Sequence, residues 1–239
     1  MFTRRHILAI TGAVALPPLM LNAQVEEGSG VTVPKLPPSE KSLHRFMLKA
    51  LGTNRDERAT FARETIDAIN PLDTTDLLVE CAAYGVFVRS SNVRDVLDEG
   101  YHRLSRQSLD LAKQTYSESP WPYALDASWH YEVTRRSKLG SLYFGASKSD
   151  GNELFEKAFA LNTNDPGIEL THIISLLSDS PKKHAKSALA ALKTVEELAP
   201  SSAYDPAYIQ TIQGHCAELL SLMIAEDFAA VKSRVLEIF

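Results

Sequence analysis

Helix breakers cut this chain at short intervals, and that punctuation constrains its fold more than any other feature. Gly52, Asn70-Pro71, Pro120 with Pro122, Asp165-Pro166, Ser180-Pro181, Pro200 and Asp205-Pro206 interrupt the runs between them. Within those runs the apolar residues recur at helical spacing, i, i+3, i+4 and i+7. After Ser39, a capping residue, Leu43, Phe46, Met47, Ala50 and Leu51 share one face. Asn54 with Glu57 three positions on is a second start signal, with Ala62, Ile66 and Ile69 inward. From Asp73 a third helix runs through LLVECAAYGVFV, apolar nearly all round and therefore buried on most sides. Asn92 is expected to cap one long helix to about Ser117, with Leu97, Tyr101, Leu104, Ser108 and Leu111 along a stripe. Pro122 fits the first turn of the next, which is expected to reach about Ala146. Ile168–Leu177 is a short helix, AKSALAALKTVEELAP another, and Asp205-Pro206 opens one through about Ala225. Glu226-Asp227-Phe228 reverses the chain into a last helix with Val231, Val235 and Ile238 inward. No segment sustains the period-two alternation of a half-buried strand. The reading is an all-α protein of about ten helices paired as antiparallel hairpins.

The N-terminus has a different character. Arg4 and Arg5 precede an apolar run from Ile7 to Leu21, and Leu21-Asn22-Ala23 offers a small residue at a cut that leaves Gln24 as the new start. The run, about 15 residues and broken by Pro17-Pro18, is shorter than the roughly 20 a spanning helix needs. Residues 1–23 therefore read as a cleaved signal peptide. The order Thr3-Arg4-Arg5-His6-Ile7-Leu8 resembles a bacterial twin-arginine (Tat) export signal. That resemblance, together with the signal reading, implies an exported, periplasmic or extracellular protein. No cysteine stands near the cut, so no anchoring to a membrane is expected after cleavage. Residues 24–38, QVEEGSGVTVPKLPP, are a Pro/Gly/Ser linker, and 39–239 the helical domain.

One stretch, Leu139 to Pro166, carries a recognisable pattern. Leu139, Gly140 and Tyr143 fit the L-G-x2-Y of one helix, and Phe155 and Ala158 the F-x2-A of the next, with Asp165-Pro166 closing the unit. This resembles one tetratricopeptide (TPR) unit, and 122–166 is its clearest copy. Ala188, Leu192, Val195, Leu198 and Pro200 repeat the second-helix spacing more loosely. The Trp position falls on Arg136, the small residue before Phe155 is Gly151, and Thr163 stands in place of the first Pro. The resemblance implies a TPR-like array, an α-solenoid whose stacked hairpins curve around a groove. It also implies that Leu139, Gly140, Tyr143, Phe155 and Ala158 are packing positions.

Composition narrows the functional classes. A net charge of -5, more negative by two once Arg4 and Arg5 are removed, gives no basic footprint for nucleic acid. Cys81 and Cys216 lie far apart inside helical patterns and read as small buried hydrophobes; whether they pair is open. The histidines His44, His102, His130, His172, His184 and His215 never share the i, i+4 spacing of a helical metal site. No nucleophile elbow, P-loop, H-E-x-x-H or dinucleotide fingerprint occurs. No enzyme activity, metal or cofactor is expected. The acids Asp95, Asp98, Glu99 and Glu118, near Arg94, Arg103 and Arg106, read as a solvated helix face.

Two sets of residues remain as candidates for holding a partner. Tyr131, Arg135 and Lys138, at i, i+4 and i+7, form a face suited to an acidic or carboxylate-bearing partner. Trp129, with Leu125 and Val133, reads as core. The TPR resemblance places Ser137, Ser141 and Phe144 on the groove side, a small polar lining with one aromatic anchor. The expectation is a non-enzymatic, exported scaffold or adaptor that binds a protein or peptide, with oligomers open. Two alternatives stand beside it: a periplasmic accessory similar to the T-components of TRAP transporters, and a cofactor-bearing Tat-exported enzyme.

Overall fold

The computed structural model describes residues 36–70, 74–162, 164–198 and 203–238. Residues 1–23, expected as a signal peptide, and residues 24–35 of the expected linker lie outside the described residues. Among those described the chain is all-α, with twelve α-helices and no strand. They are α1 (Pro38–Gly52), α2 (Arg55–Ala68), α3 (Leu77–Ser90), α4 (Val93–Asp98), α5 (Tyr101–Thr115) and α6 (Trp121–Arg136). There follow α7 (Lys138–Phe144), α8 (Lys148–Leu161), α9 (Pro166–Asp179), α10 (Ala185–Glu196), α11 (Pro206–Ile224) and α12 (Phe228–Ile238).

Ser39 does not cap the first helix as expected: α1 already begins at Pro38, without a side-chain cap, and Ser39 is buried inside it. Other polar residues at helix starts act as their chemistry requires. Asn54 accepts a hydrogen bond from the Glu57 amide at 3.0 Å, and Asn92 one from the Asp95 amide at 3.0 Å. Asp165 and Asp205 cap α9 and α11 by accepting from Gly167 and Ala207, at 2.9 and 2.8 Å. Each satisfies an amide the first turn leaves without an acceptor.

Two expected helices are broken. The helix begun at Asn92 stops at Asp98, and Gly100, at φ 70°, turns the chain before α5. Only glycine adopts that left-handed geometry without strain. The break rotates the stripe: Tyr101, Ser105, Ser108, Leu109 and Ala112 point inward, whereas Leu97 and Leu111 are exposed. The helix begun at Pro122 stops at Arg136 instead of Ala146. Ser137 is extended there, and its hydroxyl accepts from the Gly140 amide at 2.9 Å to start α7.

Two hubs organise the core. α3 packs on α1, α2, α5 and α6, while α9 packs on α6, α8, α10, α11 and α12. From Pro166 to Ser178 every residue of α9 except His172 is buried, the polar Glu169, Thr171 and Ser175 among them. α6 touches both hubs and forms a tight pair with α8. Gly151 makes that pair close, since a Cβ there would lie 3.0 Å from the Tyr131 ring and 3.2 Å from the Ala127 carbonyl. Phe155 and Ala158, on the same face of α8, are buried.

The two ends of the described chain also meet. α1 packs on α11, and buried Arg58 at the start of α2 donates to the carbonyls of Thr53 and Glu237, each at 2.7 Å. The second of these closes helix α12 onto α2 across 179 positions of sequence. Contacts therefore run between ends as well as between neighbours.

Candidate functional site

α7 stands out because its apolar residues face water. Leu139, Leu142 and Tyr143 are 80%, 84% and 83% exposed. This corrects the expectation that Leu139 and Tyr143 pack. The chain break at Ser137 turns them outward, and the partner of α8 is α6, so only the Phe155 and Ala158 half of the motif lies in a helix interface. Phe144 turns the other way and meets the His102 ring, 5.2 Å between centroids.

The six candidate residues fall into three settings. Tyr131 is buried against α8, with its hydroxyl donating to Asn152 Oδ1 at 2.5 Å; burial, then the Asp179 charge, push its pKa up to about 12. It does not share an exposed face with Arg135 and Lys138. Arg135 is engaged by Glu132, Nε to Oε2 at 3.1 Å, and Lys138 is exposed at the start of α7. Ser137 caps α7, and the Ser141 hydroxyl donates to the Ala146 carbonyl, fastening the far end where Gly145 adopts φ 65°. Ser137 and Phe144 alone of the six line a cavity.

That cavity, of about 150 Å³, lies among α3, α4, α5, α6 and α7. Val96, Leu97, Leu109, Leu125, Trp129 and Phe144 supply much of its apolar wall. Leu125, Trp129 and Val133 share a face as expected, but it lines this opening, and Trp129 is only partly buried. The Arg106 guanidinium covers the Trp129 ring at 4.9 Å.

One part of the wall is charged: Arg89, Glu132 and Arg136. Burial opposes ionisation of Glu132, yet Arg89, Arg135 and Arg136 outweigh it and hold the carboxyl at about 2. Arg136 is fully used, bonding Glu132 and donating to the carbonyls of Ser91 and Arg89 at 3.1 Å each. Arg89, with a side chain 8% exposed, donates to Ser178 Oγ at 2.8 Å and reaches Glu132 only at 3.7 Å. Its Nε has no acceptor, and neither does buried Nδ1 of His102, also on the cavity wall.

Two further polar clusters are structural ties. His44 Nε2 and Trp121 Nε1 reach the same oxygen of Asp165, at 3.2 and 3.0 Å, while its other oxygen caps α9. The face of the His44 ring stacks on Tyr208, 4.5 Å between centroids. Asp126, 1% exposed, accepts from Arg106 and Lys113 at 2.6 Å each. Burial would raise its carboxyl, but the two cations hold it below the usual range. Arg106 thus belongs to a buried pair and not to a solvated face. Cys81 and Cys216 are free and buried; burial pushes the Cys81 thiol up strongly and Cys216 to about 12, so neither is a ready thiolate. Among the described residues no three His, Cys, Asp or Glu side chains converge as a metal site requires, and no helix is long and apolar enough to cross a membrane.

Among the described residues the fold is all-α. Compared with known proteins, the chain matches no family model, no curated protein and no solved structure. The cavity and Arg89 were outside the reach of sequence reasoning. Their one signal was Arg89 at the end of an otherwise apolar helix.

Proposed function

We propose that this chain is a non-enzymatic, exported helical scaffold that binds a protein or peptide partner, with α7 as the recognising element. The observation that carries this reading is the outward face of α7, where Leu139, Leu142 and Tyr143 stand almost fully in water. A contiguous apolar surface of this kind marks interaction sites in soluble proteins. Lys138 beside it and Ser137 and Ser141 holding its two ends fit a small, preset recognition helix. The close α6–α8 pair, with Gly151, Phe155 and Ala158 at its contact, supports a TPR-like pairing of helices, here closed by contact between the ends. The arginine pair and apolar run at the N-terminus support export to the periplasm.

The test is capture from a periplasmic extract on the immobilised chain beginning at Gln24, beside the variant Leu139→Ser/Leu142→Ser/Tyr143→Ser. A specific partner retained by the parent and lost by the variant, at unchanged helix content, is the expected result. Equal retention by both overturns the assignment to α7.

A further inference from the structure

The cavity beneath α7 has a composition that no structural role explains. Its wall is mainly apolar, with His102 and a few hydroxyl side chains among the lining residues and charge where Arg89, Glu132 and Arg136 meet it. Three guanidiniums surround one carboxylate, since Arg135 also bonds Glu132. Arg135 extends toward solvent, and Arg136 is saturated by Glu132 and two carbonyls. Arg89 is the buried one left incomplete, with a neutral hydroxyl, a long 3.7 Å contact and an Nε without acceptor. A buried guanidinium with a distant counter-charge and an unfilled N–H is disfavoured, and a further anion would complete it. His102 Nδ1 is a second unsatisfied group on the same wall. A cavity near 150 Å³ lined by aliphatic and aromatic groups accommodates a benzene-sized ring.

We propose that this cavity is a binding site for a small apolar carboxylic acid, its ring or short chain among Val96, Leu97, Leu109 and Phe144 and its carboxylate toward Arg89. A single carboxylate fits because one charge is uncompensated and the remaining wall offers apolar contact. A dianion would leave one charge desolvated without a partner. The site is independent of the outer face of α7, whose exposed residues do not line the cavity.

The experiment is a titration of the protein with phenylacetate, octanoate and their neutral amides, read by calorimetry and by Trp129 emission, since Trp129 lines the cavity and Trp121 is remote in the core. Saturable binding of an acid at least about tenfold tighter than its amide is expected, with the emission change lost in Trp129→Phe; tenfold corresponds to about 1.4 kcal/mol. Arg89→Gln should abolish that preference, and Arg89→Lys should restore part of it. If Arg89→Gln does not fold, the comparison of acid and amide on the parent protein and on Arg89→Lys still decides. Equal affinity for acid and amide, or no saturable response to any of the four compounds, overturns the proposal.

Discussion

Gly167 sits where α9 begins, between two of the largest buried side chains in the molecule. A Cβ at this position would come within 1.9 Å of the Tyr208 hydroxyl and 2.9 Å of the Trp121 ring. Both rings are fully buried, so neither can retreat without moving a helix. Gly167→Ala should destabilise the protein by about 3 kcal/mol, the upper range for overpacking, read as a lower urea midpoint at unchanged slope. Glu132 gives a second residue-level expectation. Its carboxyl lies at about 2 in the folded protein against 4.5 ordinarily, because three guanidiniums outweigh the effect of burial. A depressed folded value means its stabilisation is complete above about pH 4.5 and disappears as the pH falls through about 2. The melting temperature should therefore fall across that window, and more gently in Glu132→Gln. Little of this was legible beforehand. Arg135 and Arg136 meet Glu132 at i+3 and i+4 within α6, a spacing the sequence does record, but Arg89 joins them only because α3 packs on α6.

α7 is the element on which sequence and structure part most clearly. Continuous helical character from Pro122 to about Ala146 predicts one helix. The break comes from tertiary bonds, since Arg136 donates to the end of α3 and the Ser147 amide donates to His130 Nδ1 at 3.0 Å. Asn54 and Asn92 could be read as caps because a cap acts on an amide two or three residues away. Ser137 could not, since it becomes a cap only after packing ends α6. The outward residues of α7 carry no packing energy. Leu142→Ser or Tyr143→Ser should change stability by less than about 0.5 kcal/mol. Ser137→Ala, by contrast, should cost about 1 kcal/mol locally and speed hydrogen exchange at the amides of α7.

At the scale of the whole molecule, the contact between ends decides how the protein unfolds. An open array holds together through neighbours alone and can fray from either end. Here Arg58 ties α2 to the last turn of α12, and α1 lies on α11. Unfolding should be a single transition, with far-ultraviolet circular dichroism and tryptophan emission giving coincident curves in urea. Arg58→Met removes two charge-assisted bonds to carbonyls, each worth about 1.5–3 kcal/mol, and should lower the midpoint of that one transition. The same long-range ties set a condition on synthesis. A ribosome delivers α1 and α2 long before α9, α11 and α12 exist, so His44 waits for Asp165, and Arg58 longer still for the Glu237 carbonyl. α3 covers α1 and α2 in part soon after they emerge, but the face of α1 that packs on α11 stays open through that interval, which makes the nascent chain a client for a holding chaperone in a way that the folded protein is not.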